Sequence, residues 1–303
     1  MVGPTGVGKT EVALQVARLI PAEIISVDSM QVYRGMDIGT GKPSPAIRGE
    51  IPHHGLDLVD PQEDFDVLRY ASAVAPAIRA ILERGKWALL VGGAGLYLRV
   101  LRRGLCDAPG QDPQRRDRLV EEALALGPGR LHERLRGVDA EAAQRIHPND
   151  LRRTVRALEV FESSGRTLTQ WQVDNRPCVV GLEHCPVVGL DCRREILYQR
   201  IDLRLEEWLN AGWLEEAGGL LQRGLSRTAR EALGYRELFD YLEGRSDWEQ
   251  TRLLMARNTR RYAKRQWSWF RHEPDVVWID TRGRATKDLS QEIVERWMGS
   301  VGG

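Results

Sequence analysis

The chain has 303 residues, of which 29% are charged and 42% hydrophobic, and its formal net charge is +1. These proportions are typical of a globular protein, and no apolar run approaches the roughly 18 residues that a membrane helix needs. The N-terminus lacks the basic start and apolar core of a signal peptide, so we expect a cytoplasmic protein. The four cysteines form no close C-x-x-C pair, which favours free thiols over a disulfide framework or a structural zinc site.

The first motif has the G-x-x-x-x-G-K-T spacing of a phosphate-binding loop. It consists of Gly3, Pro4, Thr5, Gly6, Val7, Gly8, Lys9 and Thr10. Its glycines let backbone N–H groups turn toward an anion, and the next helix directs its positive end there. We expect Lys9 to reach the terminal phosphate and the Thr10 hydroxyl to ligate Mg²⁺. Only two residues precede the motif, so either its first strand is a stub or the start of the chain is shortened.

Residues 23–28 form a short β-rich run that ends at Asp28 and completes a βαβ unit. Because parallel strands share their carboxyl edge, Asp28 is expected near the phosphate loop, although a turn or cap role is equally compatible with its position. Residues 29–64 are rich in turns. Within them, His53 and His54 are expected to hydrogen-bond loop backbone rather than to act as metal ligands or acid–base groups.

The pattern that follows predicts further α/β units. Residues 66–84 repeat apolar groups at helical spacing, namely Leu68, Ala71, Ala75, Ile78 and Leu82. Residues 87–91 form a continuous apolar run typical of a buried strand, and a second glycine-rich turn at 92–95 leads into another helix. Strands return at 186–190 and 276–279. The fold class is therefore predicted as α/β, with a parallel sheet of the P-loop type.

Strand-like runs vanish between residues 106 and 184, which predicts a helical insertion between core segments 1–105 and 185–303. Residues 114–126 and 130–145 look helical, and Asn149 or Asp150 is expected to cap a helix that ends near Gly165. Arg152, Arg153 and Arg156 lie opposite its apolar face. A solvated surface and a nucleic-acid contact are both open for these arginines.

The strongest basic element lies within residues 252–272. Its cations fall at i, i+3, i+4, i+7 and i+8, on one stripe of a helix: Arg257, Arg260, Arg261, Lys264 and Arg265. Like charges so close repel one another, which favours nucleic acid or pyrophosphate as a partner over acidic neighbours. Arg230 and Arg236, around the start of an earlier helix, are candidates for further diphosphate contacts.

Taken together, these segments resemble the tRNA dimethylallyltransferase family. The resemblance rests on residues 3–10, 25–40, 52–54, 91–98, 146–150, 156–160, 234–235 and 264–267, which run in the family's order. The Ser-Val-Asp-Ser-Met-Gln-Val-Tyr stretch at 26–33 is the most specific of them. The resemblance covers nearly the whole chain.

The resemblance implies a P-loop-type core whose insertion grips the anticodon arm of tRNA. It implies transfer of a dimethylallyl group from dimethylallyl diphosphate to N6 of adenosine 37, with Mg²⁺ as cofactor. We expect a monomer, although the sequence leaves the oligomeric state open. Asp28 would be the general base, Thr10 would assist the metal, and Ser29, Met30 and Gln31 would contact the adenosine. Ala94 stands where the family usually has a threonine that helps to position the reacting groups. The family's tRNA-contacting segment is matched by Arg152, Arg153, Thr154, Val155 and Arg156.

Three other functions are compatible with parts of the pattern. A P-loop small-molecule or nucleoside kinase shares the phosphate loop and the Asp-ended strand but needs no arginine-rich insertion. Prenylation of a free adenine nucleotide is a closer alternative, against which the insertion argues. A non-catalytic tRNA-binding relic would bind tRNA without forming any prenylated product.

Overall fold

The computed structural model describes residues 1–104, 108–110, 112–173, 179 and 181–301. The chain divides into two compact units: a core unit, Met1–Arg102 with Cys178–Gly303, and an insertion unit, Arg103–Pro177. The sequence predicts the second division later, between 184 and 185. Val179 and Leu182 are buried in the hydrophobic core of the core unit, which explains why that unit begins before residue 184.

The described elements alternate between helices and strands at both ends of the chain and are helical between them. They are α1 (Lys9–Leu19), β1 (Ala22–Val27), α2 (Pro45–Glu50), β2 (His53–His54), α3 (Val67–Glu83), β3 (Trp87–Gly92), α4 (Gly95–Arg103), α5 (Pro113–Leu126), α6 (Pro128–Val138), α7 (Ala140–Arg145), α8 (Leu151–Ser164), α9 (Leu168–Val173), β4 (Val187–Asp191), α10 (Arg194–Asn210), α11 (Trp213–Arg223), α12 (Arg227–Arg230), α13 (Tyr235–Leu242), α14 (Trp248–Arg271), β5 (Val276–Asp280) and α15 (Thr286–Val301).

The short N-terminal segment joins the two halves of a parallel sheet. β1 pairs with β2 and β3, and β4 pairs with β5. Val2 forms parallel bridges to Gly92 on one side and Gly189 on the other. The strand order is therefore β2-β1-β3-Val2-β4-β5, and the predicted stub occupies the centre of the sheet. The predicted α/β class is confirmed.

Gly3 shows why the phosphate loop starts directly after this bridge. Its φ is +146°, and a Cβ there would lie 2.7 Å from the backbone oxygen of Leu190. A side chain would clash with the neighbouring strand, so glycine is required at the point where the chain turns out of the sheet.

The buried face of α3 differs in part from the predicted one. Ala71, Ala75 and Ile78 are buried as expected, but Leu68 and Leu82 are about half exposed, at 51% and 49%. Tyr70, Val74 and Ile81 are buried instead, so the apolar face that meets the core is rotated from the one that helical spacing alone suggests.

The insertion unit has a hydrophobic core of its own, to which Leu119, Leu131 and Leu158 contribute. The helix predicted over 130–145 is two helices, because Asp139 ends α6 and its carboxylate accepts the Ala142 N–H of α7 at 3.0 Å. The predicted cap of α8 is Asp150, and Gly165 ends that helix with φ +68°. Over the part of the chain that the structure describes, no helix combines the length and the apolar character needed to cross a membrane.

Candidate active site

The phosphate loop is held by side chains from three helices of the core unit. Lys9 Nζ donates to the backbone oxygens of Gly3 (3.0 Å) and Pro4 (2.9 Å). Arg204 of α10 donates to Thr5 Oγ1 at 2.7 Å, and the Gln266 Oε1 of α14 accepts the Thr5 N–H at 2.8 Å. The loop is thus held at Thr5 from two sides.

This phosphate-loop cavity has a volume of about 660 Å³, and its lining includes the residues from Thr5 to Thr10, Asp28 and the two arginines of α10, Arg200 and Arg204. Sequence reasoning missed both arginines. The signal that was available is their spacing of four residues on α10, beside the apolar face of that helix.

The cations of the cavity are destabilised by burial, although the lining also includes the carboxylates of Glu11, Asp28 and Glu207. Burial, reinforced by Arg204, lowers the pKa of Lys9 from 10.5 to about 8. Burial also lowers the pKa of Arg204 from 12.5 to about 10. The buried Arg204 Nε has no hydrogen-bond partner among the described residues. Cations so destabilised, next to a glycine-rich loop, are what an anion such as diphosphate would neutralise.

Asp28 stands between this cavity and a second one of about 350 Å³, which we call the neighbouring cavity. Its Oδ1 accepts the N–H groups of Met30 (2.8 Å) and Gln31 (3.2 Å), while no hydrogen bond to Oδ2 is seen in the described part of the chain. Both positional expectations are therefore met, because Asp28 is a turn residue and also borders the phosphate-loop cavity. Six residues line both cavities: Thr5, Asp28, Thr40, Arg204, Trp208 and Tyr262.

The three residues after Asp28 divide between the cavities. Ser29 and Met30 line the neighbouring cavity, whereas Gln31 lines the phosphate-loop cavity. The Gln31 Nε2 donates to the Thr40 backbone oxygen at 2.9 Å, and its Oε1 accepts the Ser26 hydroxyl at 2.6 Å. Gln31 is therefore fixed in orientation beside Asp28.

The two predicted diphosphate contacts outside the loop lie elsewhere. Arg230 is ion-paired with Glu243 and lines neither cavity. Arg236 lines the neighbouring cavity and is paired with Glu231 and Glu237, at 3.3 and 2.9 Å. The arginines that lie beside the phosphate loop are Arg200 and Arg204 instead.

Ala94 lies in the turn between β3 and α4, where its N–H donates to the Val27 oxygen at 3.2 Å. Its side chain packs against the hydrophobic core and lines neither cavity. Gly93, one residue earlier, does line the phosphate-loop cavity. In the second glycine-rich turn, Gly92 and Gly93 therefore line the phosphate-loop cavity, and Ala94 does not.

Within the insertion unit, the predicted tRNA segment is split between surface and core. Arg152 and Arg153 are exposed, whereas Arg156 is half-buried and donates to the Pro109 oxygen at 2.7 Å. Thr154 and Val155 are buried, with 0% and 2% exposure. Their side chains lie in the core of the insertion unit, so a direct side-chain contact with tRNA is not supported for these two.

The basic stripe of α14 is only partly neutralised by acidic neighbours. Arg260 pairs with Asp202 of α10, with its Nε 3.2 Å from the carboxylate. Arg257 and Arg261 are exposed and show no ion pair among the described residues. Arg261 and Arg265 also line the neighbouring cavity, so the stripe leads from the surface toward Asp28.

The remaining candidate ligands have structural partners. His53 bonds through Nδ1 to the Ile51 backbone oxygen at 2.6 Å, as expected, whereas the expectation is wrong for His54, which bonds to the Glu23 carboxylate at 2.8 Å. Cys185 and Cys192 are free thiols, and the other two cysteines, Cys106 and Cys178, lie outside the described residues. The described ranges contain no cluster of three or more His, Cys, Asp or Glu residues that could hold a metal ion.

Comparison with known proteins gives one consistent family. The sequence profile described as IPP transferase matches residues 31–273, and that described as isopentenyl transferase matches residues 1–49. The tRNA dimethylallyltransferase of Symbiobacterium thermophilum is 47% identical, over 98% of this chain and 95% of that protein. That of Geobacter sulfurreducens is 44% identical, over 92% of this chain and 90% of its own.

Solved structures agree with the sequence relatives. The full-length tRNA isopentenylpyrophosphate transferase of Bacillus halodurans superposes with a TM-score of 0.72 at 37% identity, covering 99% of this chain and 95% of that one. A eukaryotic dimethylallyltransferase acting on tRNA superposes with a TM-score of 0.76 at 27% identity, covering 97% and 78%.

Proposed function

Because the chain belongs to the IPP transferase family, we propose that it transfers a dimethylallyl group from dimethylallyl diphosphate to N6 of adenosine 37 in tRNA. The products are N6-isopentenyladenosine in the anticodon loop and free diphosphate. The observation that supports this most strongly is the position of Asp28, which borders both the phosphate-loop cavity and the neighbouring cavity. A base at that junction can act on an acceptor in one cavity as it attacks a donor in the other.

The donor's diphosphate fits the phosphate-loop cavity. As the bond between the allylic carbon and the diphosphate oxygen breaks, negative charge grows on the departing diphosphate. The loop N–H groups, Lys9 and Arg204 are the donors that can stabilise this charge, and burial, which lowers the pKa of Lys9 and of Arg204, makes an anionic ligand favourable beside them.

The acceptor's N6 is a poor nucleophile because its lone pair is delocalised into the adenine ring. In our proposal, Asp28 Oδ2 takes the N6 proton as the bond to the allylic carbon forms, and such general-base help is typically worth about 10²- to 10⁴-fold in rate. Oδ1 stays engaged by the N–H groups of Met30 and Gln31, which keeps the carboxylate oriented. Ser29 and Met30 are placed to contact the base in the neighbouring cavity.

The adenosine must leave its stack to reach Asp28, at a cost of a few kcal/mol. The exposed cations of α14, Arg257 and Arg261, offset this cost by binding tRNA phosphates. Arg152 and Arg153 of the insertion unit are proposed to contact the anticodon arm. A tRNA acceptor favours the cytoplasm as the location of the protein.

The residues present also fit a Mg²⁺ ion bound mainly through the substrate. Thr10 lines the phosphate-loop cavity, and Mg²⁺ is commonly held by one or two protein oxygens together with phosphate oxygens. The Thr10 hydroxyl would be the protein ligand. Such an ion would neutralise charge on the departing diphosphate.

The experiment is incubation with labelled dimethylallyl diphosphate and, separately, unmodified tRNA, AMP or ATP, followed by nucleoside analysis. We expect label in tRNA alone, recovered as N6-isopentenyladenosine. Label in AMP or ATP would support free-nucleotide prenylation instead. Phosphoryl transfer from ATP to a small acceptor, without any prenylated product, would support a kinase.

A further inference from the structure

A carboxylate from a distant helix holds the loop that separates the two cavities. The segment of residues 37–41, which we call the 37–41 loop, is irregular and leaves successive N–H groups without strand or helix partners. Glu216 of α11 accepts the N–H groups of Asp37 (3.0 Å), Ile38 (3.0 Å) and Gly39 (3.4 Å). One anionic group thus satisfies three consecutive donors, 177 to 179 residues away along the chain.

Tyr235 completes this anchor. Its hydroxyl donates to Glu216 and accepts the Gly39 N–H at 3.1 Å. Burial, together with the Glu216 carboxylate, raises the pKa of Tyr235, so the phenol keeps the proton that it donates. Both partners of the Gly39 N–H therefore belong to one hydrogen-bonded pair of side chains.

The side chain of Trp213, at the start of α11, packs against the backbone of the 37–41 loop. A Cβ on Gly39 would lie 1.9 Å from Trp213 Nε1, and a Cβ on Gly234 would lie 2.1 Å from Cη2 of the same indole. The indole is buried and packs edge-on against Tyr235, with ring centroids 5.5 Å apart. The loop backbone consequently lies directly against a buried aromatic ring.

The anchor acts on the acceptor side of the site. Gly39 lines the neighbouring cavity, and Thr40 lines both cavities and accepts a hydrogen bond from Gln31 through its backbone oxygen. The donor side of the same segment has an anchor of its own, because the buried Lys42 pairs with Asp57 at 2.6 Å and lines the phosphate-loop cavity. Loss of the Glu216 anchor should therefore disturb the acceptor cavity more than the donor cavity.

We propose that Glu216 is a positioning residue for the acceptor nucleobase: with Tyr235 it fixes the 37–41 loop, and through Gly39 and Thr40 it shapes the wall of the neighbouring cavity beside Asp28. This role rests on the proposed transfer to tRNA adenosine. Glu216 itself lines neither cavity and takes no part in the chemical step.

The test compares Glu216→Gln with Glu215→Gln in steady-state transfer to an anticodon stem-loop. The amide keeps the size of Glu216 but turns N–H groups toward the N–H groups of the loop. We expect the KM for the stem-loop to rise about tenfold, as loss of charge-assisted hydrogen bonds implies, with the KM for dimethylallyl diphosphate unchanged within about twofold. Glu215 is exposed on the same helix and has no hydrogen bond to the loop among the described residues, so its variant should match the wild type.

Tyr235→Phe provides a second, milder variant that keeps the aromatic packing. It should raise the stem-loop KM in the same direction by about threefold. An unchanged stem-loop KM in both variants, or a fall in kcat with both KM values unchanged, would overturn the proposal and leave Glu216 a merely structural residue. If the wild type itself makes no product, the transfer reaction is refuted, and equilibrium binding of the stem-loop to the same variants still decides the role of Glu216.

Discussion

At the scale of single residues, Arg204 is the cation on which diphosphate binding should depend most. Its guanidinium is buried beside Thr5, its pKa is lowered to about 10 by burial, and its Nε has no partner within the described ranges. An anion would supply what the protein leaves unpaired. Arg204→Met should therefore weaken binding of inorganic diphosphate by at least about tenfold, measured by titration calorimetry.

Arg230→Met is the matched control for that measurement. Arg230 pairs with Glu243 outside both cavities, so its replacement should change diphosphate affinity by less than about twofold. Equal reductions in affinity in the two variants would contradict the assignment of Arg204 and would favour a general effect of positive charge.

Residue-level prediction from sequence succeeds where local spacing carries the information. The phosphate loop and Asp28 follow from glycine spacing and from the shared edge of parallel strands. Arg204 cannot be recognised in the same way, because it reaches Thr5 across 199 residues of sequence. Arg230 is favoured by its place at a helix start, yet its charge is used by an acidic neighbour.

At the scale of elements, α14 carries the cations that we expect to bind tRNA. Arg257, Arg261 and Lys264 are exposed on one face, and no ion pair to them is seen in the described part of the chain. Replacing all three with Gln should weaken tRNA binding and reduce the slope of log affinity against log salt by about 0.7 to 0.9 for each phosphate that the variant no longer neutralises. Filter binding over a range of salt concentrations measures both.

Arg245→Gln serves as the control for α14. Arg245 is a surface arginine that pairs with Asp240 and Glu243 in the loop region before α14. Its replacement should leave the salt slope unchanged. A triple variant of α14 whose slope equals that of the wild type would place the tRNA-binding surface elsewhere.

The same helix shows what spacing can and cannot reveal. The i, i+3 and i+4 pattern predicts a common stripe, and Arg261 and Arg265 do line one cavity. The pairing of Arg260 with Asp202 depends on how α10 packs against α14, which no local pattern encodes. For α8, the local sequence pattern identifies the helix and its ends. The family resemblance, in contrast, assigns tRNA contact to Thr154 and Val155, whose side chains are buried.

At the scale of the whole molecule, one buried carboxylate links β1 to β2 and to the C-terminal end of α3. Glu23 of β1 is 4% exposed and accepts from His54, Arg84 and Lys86. Burial alone would raise its pKa, but these hydrogen bonds prevail and lower the pKa of Glu23 from 4.5 to about 2. The ionised form is thus favoured by folding.

This carboxylate predicts how stability depends on pH. Because its folded pKa lies below its unfolded pKa, the stabilisation is complete above about pH 5 and is lost as the pH falls toward 2. Glu23→Gln should lower the free energy of unfolding at pH 7 by about 2 kcal/mol and flatten the acid limb. Denaturant unfolding at a series of pH values measures this, with the exposed Glu83→Gln as control. If the free energy of unfolding falls as steeply with decreasing pH in Glu23→Gln as in the control, the assigned role of Glu23 is wrong.

The fold class is predictable from the sequence, but the way in which the two halves of the sheet are joined is not. Alternating apolar runs and helices predict the α/β core, and the disappearance of strand-like runs predicts the insertion. The phosphate-loop motif predicts a strand before Gly3, but the pairing of Val2 with both β3 and β4 is not predictable, because a bridge of one residue leaves no periodic signal.

The most direct test of the account is the single-turnover rate of Asp28→Asn with labelled dimethylallyl diphosphate and an anticodon stem-loop. Asparagine keeps an Oδ1 acceptor for the N–H groups of Met30 and Gln31, so the turn and the cavity walls should persist while the base is removed. We predict a rate about 10²- to 10⁴-fold below the wild type, with stem-loop affinity unchanged within about twofold. A near-normal rate at saturating substrates would contradict the claim that this carboxylate takes the proton from N6.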